Sequence, residues 1–273
     1  MTHGPDSAEG LVPGAKGRLR GSTAIITGAG RGLGRGVAIA MAMEGARLWV
    51  CDQTVEELDK TVSLIEAAGG RVEHRRFDLS SHEACEEFAR DVIANTDRVD
   101  CLVNNAGVLP RTPFAEVSRQ EWDSTLAVNL TATFVLCQRV LPRMEAHGGS
   151  LINMSSRAGV AGFAKQTSYC ASKFAVEGFT RALATELPEG VSANTVTPGM
   201  RIKPTNLTEA EERALSTEER EWRDPIHIAP AFIYLSMARG RPNGFRFDAQ
   251  RLTETIRRHG YTMPAETAES IAE

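Results

Sequence analysis

The sequence lacks most of the features that mark a secreted, metal-binding or nucleic-acid-binding protein. Its five cysteines, at 51, 85, 101, 137 and 170, are far apart and form no CxxC pair. An odd, scattered set excludes a disulfide scaffold and predicts reduced, mostly buried thiols, as in a cytoplasmic protein. Six histidines are equally dispersed, without an HExxH pair or a Cys/His cluster, so no metal site is expected. Long basic runs are missing and the net charge is −4, which argues against nucleic acid or an anionic membrane surface as partner. No apolar run reads as long enough to span a membrane. The first 21 residues lack the apolar core of a signal peptide, and their glycine, proline and polar content predicts a flexible tail over 1–20. Internal repeats and low-complexity linkers are absent too, so the remainder, 21–273, reads as one domain.

What is present is an alternation of short apolar runs and amphipathic stretches, the pattern of an α/β protein. Thr23–Thr27 reads as a buried strand and runs directly into Gly28-Ala29-Gly30-Arg31-Gly32-Leu33-Gly34. Leu33, Val37, Ala40 and Met41 then recur at helical spacing. A strand, a glycine turn and a helix in that order suit a dinucleotide pyrophosphate. Glycines let the backbone approach closely, and the helix start offers free N–H groups and partial positive charge. The next strand, 47–51, ends in Asp52. A carboxylate there can accept from both ribose hydroxyls and repels a 2′-phosphate, which points to NAD; Arg31 in the glycine turn is the opposing signal for NADP.

Further along, a helix is expected over 54–68, a strand over 71–77 ending in Asp78, and a helix over 81–95. Asp78 could touch an adenine or cap the next helix. The strand 99–103 runs into Asn104-Asn105-Ala106-Gly107, two amides and two small residues suited to a turn beside a ligand. A long helix from about Arg119 to His147, interrupted at Pro142, carries Asn129 in an apolar setting, where an amide must be hydrogen-bonded to be tolerated. Strand 150–154 delivers Ser155 and Ser156 to the edge where every earlier strand ends, and strand 191–196 brings Pro198 and Gly199 there. The charged run 200–224 reads as a mobile lid. A helix over 226–238 and a strand near 244–248 follow, and 249–273 reads as a helix and a loose tail.

Tyr169 and Lys173 stand four residues apart on a helix expected over 167–186, so both face the same side one turn apart. A phenol titrates near pH ~10, and a neighbouring ammonium favours its ionised form, which makes the pair a candidate general acid/base. Ser156 is placed to supply a hydroxyl to the same point.

These residues together resemble the short-chain dehydrogenase/reductase family. The resemblance covers roughly Gly21 to Asp248 and rests on four signatures in order. They are Thr27-Gly28-x-x-x-Gly32-x-Gly34, Asn104-Asn105-Ala106-Gly107, Ser156 with Tyr169-x-x-x-Lys173, and Pro198-Gly199. It implies a single-domain, doubly wound Rossmann fold with a seven-stranded parallel sheet flanked by helices, and a homodimer or homotetramer. It also implies roles. Tyr169 is the acid/base, Ser156 binds the substrate oxygen, Lys173 lowers the tyrosine pKa and holds the nicotinamide ribose, and Asn129 steadies a water in a proton relay. Gly28, Gly32 and Gly34, with Arg31 and Leu33, would hold the pyrophosphate side, and Asp52 the adenosine ribose. Asp78, Leu79, Asn105, Ala106 and Gly107 would line the adenosine side, and Pro198 and Gly199 the nicotinamide side. Two departures stand out. Lys203 occupies the place where the family commonly has a threonine, with Thr205 two residues on, and Asp248-Ala249-Gln250 replaces the usual Asp-Gly-Gly.

The expected activity is reversible hydride transfer between NAD(H) and a small-molecule secondary alcohol or ketone. The alternatives are an NADPH-dependent 3-oxoacyl-type ketoreductase using Arg31, and a non-catalytic NAD(H)-binding regulator. Candidate substrate contacts are Ser156, Arg157, Val160, Phe163, Gln166, Tyr169 and Met200.

Overall fold

The computed structural model describes residues 17–199, 202, 213–216 and 222–273. Residues 1–16 lie outside these, as does most of the expected lid, with Met200, Lys203 and Thr205. Seven strands form one parallel sheet in the order β3-β2-β1-β4-β5-β6-β7. They are β1 Thr23–Thr27, β2 Arg47–Asp52, β3 Arg71–Arg76, β4 Cys101–Asn104, β5 Gly149–Met154, β6 Val191–Thr197 and β7 Arg246–Asp248. Strands β1, β4, β5 and β6 are buried along their whole length, as expected of parallel strands covered on both faces. The edge strand β3 is the exception. Its charged sequence, Arg-Val-Glu-His-Arg-Arg, is mostly exposed and guards the open edge against pairing with another chain.

Helices α1 Gly32–Met43 and α2 Val55–Ala67 cover one face of the sheet together with α7 Ala229–Met237 and α8 Ala249–His259. The other face carries α3 His82–Asn95, α4 Arg119–Leu126, α5 Ala132–Met144 and α6 Thr167–Ala184, around Phe88, Val135 and Leu136. Strand order reverses between β1 and β4, so a crevice opens at their carboxyl ends.

Three expectations need correction. The long helix is broken by a π-helical turn at Ala127–Thr131, whereas Pro142 sits in the last helical turns of α5 without ending it. The π-turn inserts a residue around Asn129, and such turns are commonly found at functional sites. Residues Arg119–Met144 also contain a window long and apolar enough to cross a membrane, contrary to the sequence reading. Its apolar side, Val135, Leu136, Val140 and Met144, is buried in the core, which explains the composition. The ends of the domain are docked, too. Gly17 and Arg18 donate backbone N–H groups to the Glu44 carboxylate, and Arg18 lies over the Tyr261 ring, so the last residues of the tail expected over 1–20 are docked on the domain. After α8, α9 Ala265–Glu269 packs with Tyr261, Met263 and Ala268 buried, and Glu273 donates its N–H to the Arg246 carbonyl. The loose tail of the sequence reading is therefore a packed segment, because apolar residues in it meet α7 and the sheet.

Candidate active site

The crevice at the strand ends is a cleft of about 370 Å3. One end is bordered by Asp52, Gln53, Asp78 and Leu79 beyond β2 and β3. The middle runs over Gly28, Arg31, Gly32 and Leu33, and the far end reaches Met154, Ser155, Tyr169, Lys173 and Pro198. The glycine turn has two positions that only glycine can fill. Gly28 is left-handed at φ 64° and a Cβ there would come 2.8 Å from the Ala106 Cα. A Cβ on Gly34 would stand 2.1 Å from the Gly28 carbonyl oxygen. Asn105 ties this turn down by donating its side-chain amide to the carbonyls of Thr27 and Gly28, at 2.9 and 3.0 Å. The Thr27 hydroxyl accepts from the backbone of Asn105 and Ala106. Helix α1 has no side-chain cap and no acid in its first turn, so its leading N–H groups are left facing the cleft. That arrangement fits an anionic diphosphate.

At the end of β2, the Asp52 carboxylate accepts from the backbone of Gly30 (2.9 Å) and Thr54 (3.1 Å). It thereby braces the glycine turn, with lone pairs left towards the cleft. The exposed Arg31 guanidinium has no partner among the described residues. Arg35, which the sequence reading did not use, holds the turn from behind. It bonds the Gly30 carbonyl, the Glu57 carboxylate and the Thr61 hydroxyl.

Helix α6 presents Tyr169 and Lys173 from one face. Lys173 is buried and donates to the Met154 carbonyl at 2.8 Å, and its Nζ lies 5.7 Å from the centre of the Tyr169 ring. Burial pushes this lysine down to about 8, with the Glu177 carboxylate one turn on pulling in the opposite direction. Burial raises the Tyr169 pKa, and the group that works against this is the neighbouring Ser156 hydroxyl. The Tyr169 pKa thus stands above its ordinary value in this state, and the expected lowering by Lys173 is not among the causes of its shift: that ammonium is bonded to the Met154 carbonyl.

Asn129 is buried in the π-turn and fully engaged through its amide group. Its Nδ2 donates to the Val108 carbonyl (3.0 Å) and the Ser172 hydroxyl (2.9 Å), and its Oδ1 accepts from the Val108 N–H (2.8 Å). Both amide hydrogens being used, only the second lone pair of Oδ1 is left for a water. A Cβ on Gly107 would meet that Oδ1 at 3.3 Å, with Lys173 Nζ at 3.7 Å, so the small residue lets Asn129 and Lys173 approach the loop.

Several predicted residues stand behind the cleft wall and do not line it. Gly34 packs on Gly28, Asn129 faces the protein interior, and Gly199, at φ 71°, lies against Asp248. Asp78 borders the cleft and accepts from the Ser80 N–H in the turn before α3, but the residue that caps that helix is Ser81, which accepts from the Ala84 N–H, so the capping reading is corrected. Ser156, Arg157, Phe163 and Gln166 are outside the main cleft, on the turn beside Tyr169. There the exposed Arg157 sits over the Phe163 ring, and Gln166 is the N-cap residue of α6. Val160 is exposed on the same turn. Lining residues that sequence reasoning missed are Gln53, Val108, Leu109, Val128, Met154, Ser155 and Ile202. Most adjoin a recognised motif, and Val128 reaches the wall where the π-turn sets its neighbour Asn129 inward.

A family model described as short chain dehydrogenase matches residues 22–215. The chain is 42% identical over 185 residues to D-threitol dehydrogenase of Mycolicibacterium smegmatis, covering 66% of this chain and 70% of that protein. It is 35% identical over 227 residues to the 3-oxoacyl-[acyl-carrier-protein] reductase FabG of Thermotoga maritima, covering 80% and 92%. A crystal structure of a metagenomic short-chain oxidoreductase in complex with NADP superposes with a TM-score of 0.70 at 33% identity, covering 83% of this chain and 95% of that one. With its parallel seven-stranded sheet and these matches, the chain belongs to the short-chain dehydrogenase/reductase family of oxidoreductases.

Proposed function

We propose that this protein transfers a hydride reversibly between NAD(H) and a secondary alcohol or ketone, with Tyr169 as general acid/base. The observation that carries the reading is Tyr169 on one face of α6 with buried Lys173 one turn on and the Ser156 hydroxyl acting on its phenol, at the end of a cleft that begins on the glycine turn. When bound, the nicotinamide supplies the hydride acceptor or donor. In oxidation, the ionised Tyr169 oxygen takes the alcohol proton, and the Ser156 hydroxyl donates to the substrate oxygen as charge develops on it. Lys173 provides positive charge at the tyrosine and a donor for the ribose. Asn129 holds the Val108 segment against Ser172 on α6, so it acts as a positioning residue. Gly28, Gly32 and Gly34 admit the diphosphate, while Arg157, Phe163 and Gln166 border the substrate's approach. This complete acid/base set disfavours a purely regulatory dinucleotide binder, which has no use for it.

Asp52 supports NAD, because a 2′-phosphate beside that carboxylate would be repelled. The expected result is a wild-type kcat/KM that is higher with NAD than with NADP, and an Asp52→Asn variant in which the preference narrows. Asparagine keeps an acceptor for Gly30, which spares the glycine turn, and gives up the one for Thr54. A wild type that prefers NADP would transfer the role to Arg31. That second reading, an NADPH-dependent ketoreductase, is favoured by the unpartnered Arg31 guanidinium and by the likeness to FabG. The half-exposed Phe134 and Phe174 on α5 and α6 support a homodimer or homotetramer, and four buried thiols suit the cytoplasm. A turnover screen decides the substrate class. D-threitol, cyclopentanol, a 3β-hydroxysteroid and a 3-oxoacyl thioester, each tried with both cofactors, separate the polyol, alcohol, steroid and acyl readings.

A further inference from the structure

Among the described residues, two cations are buried, Lys173 and Arg246. The second stands on β7, does not line the main cleft and is tied to both halves of the candidate site. Its Nη1 donates to the Ser155 hydroxyl at 3.1 Å and to the Glu177 carboxylate, and its Nη2 donates to the Ser156 carbonyl at 3.2 Å. Nε donates to the Glu273 carboxylate at 2.8 Å. Glu177 belongs to α6, one turn beyond Lys173, and its other oxygen accepts from the Thr195 hydroxyl on β6 at 2.9 Å. One planar guanidinium thus joins the turn after β5, which carries Ser156, to the helix that carries Tyr169 and Lys173. A second contact shows how tightly the two are pressed together. A Cβ on Gly159 would stand 2.6 Å from Ser155 Oγ, 3.1 Å from Glu177 Cγ and 3.1 Å from the Lys173 carbonyl oxygen.

We propose that Arg246 is a positioning residue: its guanidinium clamps the Ser155–Ser156 turn to α6 and so sets the placement of the Ser156 hydroxyl against the Tyr169 phenol. The inference rests on the roles given above to Ser156 and Tyr169. Its chemistry is specific to arginine. Three nitrogens in a fixed fork serve four acceptors on three elements, and a lysine ammonium at the same depth could satisfy Glu177 but not the serine turn as well. A buried pair that served stability alone could be replaced by neutral groups without loss. A clamp could not, because the bonds to Ser155 and Ser156 would still be missing.

The test compares Arg246→Met, Arg246→Lys and the double variant Glu177→Gln/Arg246→Met with wild type, using Tyr169→Phe as a reference. Arg246→Met should lower Tm by taking from buried Glu177 its closest cation, leaving it the Thr195 hydroxyl and the exposed Arg181 3.7 Å away, and should reduce kcat about 10-fold or more with the dinucleotide KM changed less than about threefold. The double variant should recover Tm but not kcat. Arg246→Lys should keep most of the Tm while kcat stays low. Independently of turnover, the ζ-carbon NMR signal of Tyr169, identified by its disappearance in Tyr169→Phe, should move in all three Arg246 variants. If Arg246→Met does not fold, the other two variants carry both readouts. A double variant with wild-type kcat, or an unmoved Tyr169 signal, would overturn the proposal. Undiminished turnover by Tyr169→Phe would overturn the functional reading itself, leaving the NMR readout to decide on the clamp.

Discussion

Replacing Tyr169 by phenylalanine is expected to lower kcat/KM about 10²–10⁴-fold, the range for a lost general acid/base. The ring stays, so its packing on α6 stays. The phenol oxygen goes, and with it the group placed to exchange a proton with a substrate oxygen held beside Ser156. Dinucleotide binding should change little, because the glycine turn, Asp52 and Lys173 are untouched. Stability should change by no more than about 1 kcal/mol, since one polar group is removed and the ring keeps its packing. Steady-state kinetics and dinucleotide titration on one preparation separate these effects. A variant with wild-type kcat/KM would remove the tyrosine from the chemistry.

Lys173→Met is expected to move activity and stability in opposite directions. Activity should drop about 10²-fold or more, since the ammonium that supports the tyrosine and ribose is gone. Stability at neutral pH should rise. A lysine held at about 8, in place of its ordinary 10.5, costs the native state about 3 kcal/mol whenever it is charged. Leaving the Met154 carbonyl without its donor gives back about 1 kcal/mol, so a net gain of about 2 kcal/mol remains. The pH dependence fixes the cause. Below pH 8 both folded and unfolded wild-type chains carry the proton, and the full cost is present. Between about 8 and 10.5 the unfolded chain holds a proton that the native state has released, so wild-type stability rises with pH. The advantage of Lys173→Met is therefore largest below pH 8 and fades towards 10.5. Denaturant unfolding at pH 7 and pH 10 measures it, and an advantage that grew with pH would show that the charge is not its source.

These two residues were legible in the sequence because helical spacing alone places them on one face. The glycine turn and Asp52 were legible for a similar reason: a strand, a turn and a helix leave few places for either. Asn129 was readable only as a polar residue needing partners. The π-turn that supplies them has no sequence signal, since it is a register shift in a run that is helical on either side. Arg246 was invisible for a different reason. An arginine in a three-residue strand with exposed-looking composition gains its meaning from Glu177, Ser155 and Ser156, none of which is near it in sequence. The docked segment after Asp248 went unread likewise, because Tyr261, Met263 and Ala268 are too sparse to form a periodic pattern.

The central claim is that the carbinol hydrogen of an alcohol passes to the nicotinamide while Tyr169 takes the hydroxyl proton. It is tested most directly by following label from an alcohol deuterated at the carbinol carbon, chosen as the best substrate of the screen, in the presence of NAD. The account predicts deuterium at C4 of the reduced nicotinamide with wild-type protein, and the same product formed about 10²–10⁴-fold more slowly by Tyr169→Phe. Oxidation without deuterium at that carbon, or label transfer at the wild-type rate by Tyr169→Phe, would contradict it.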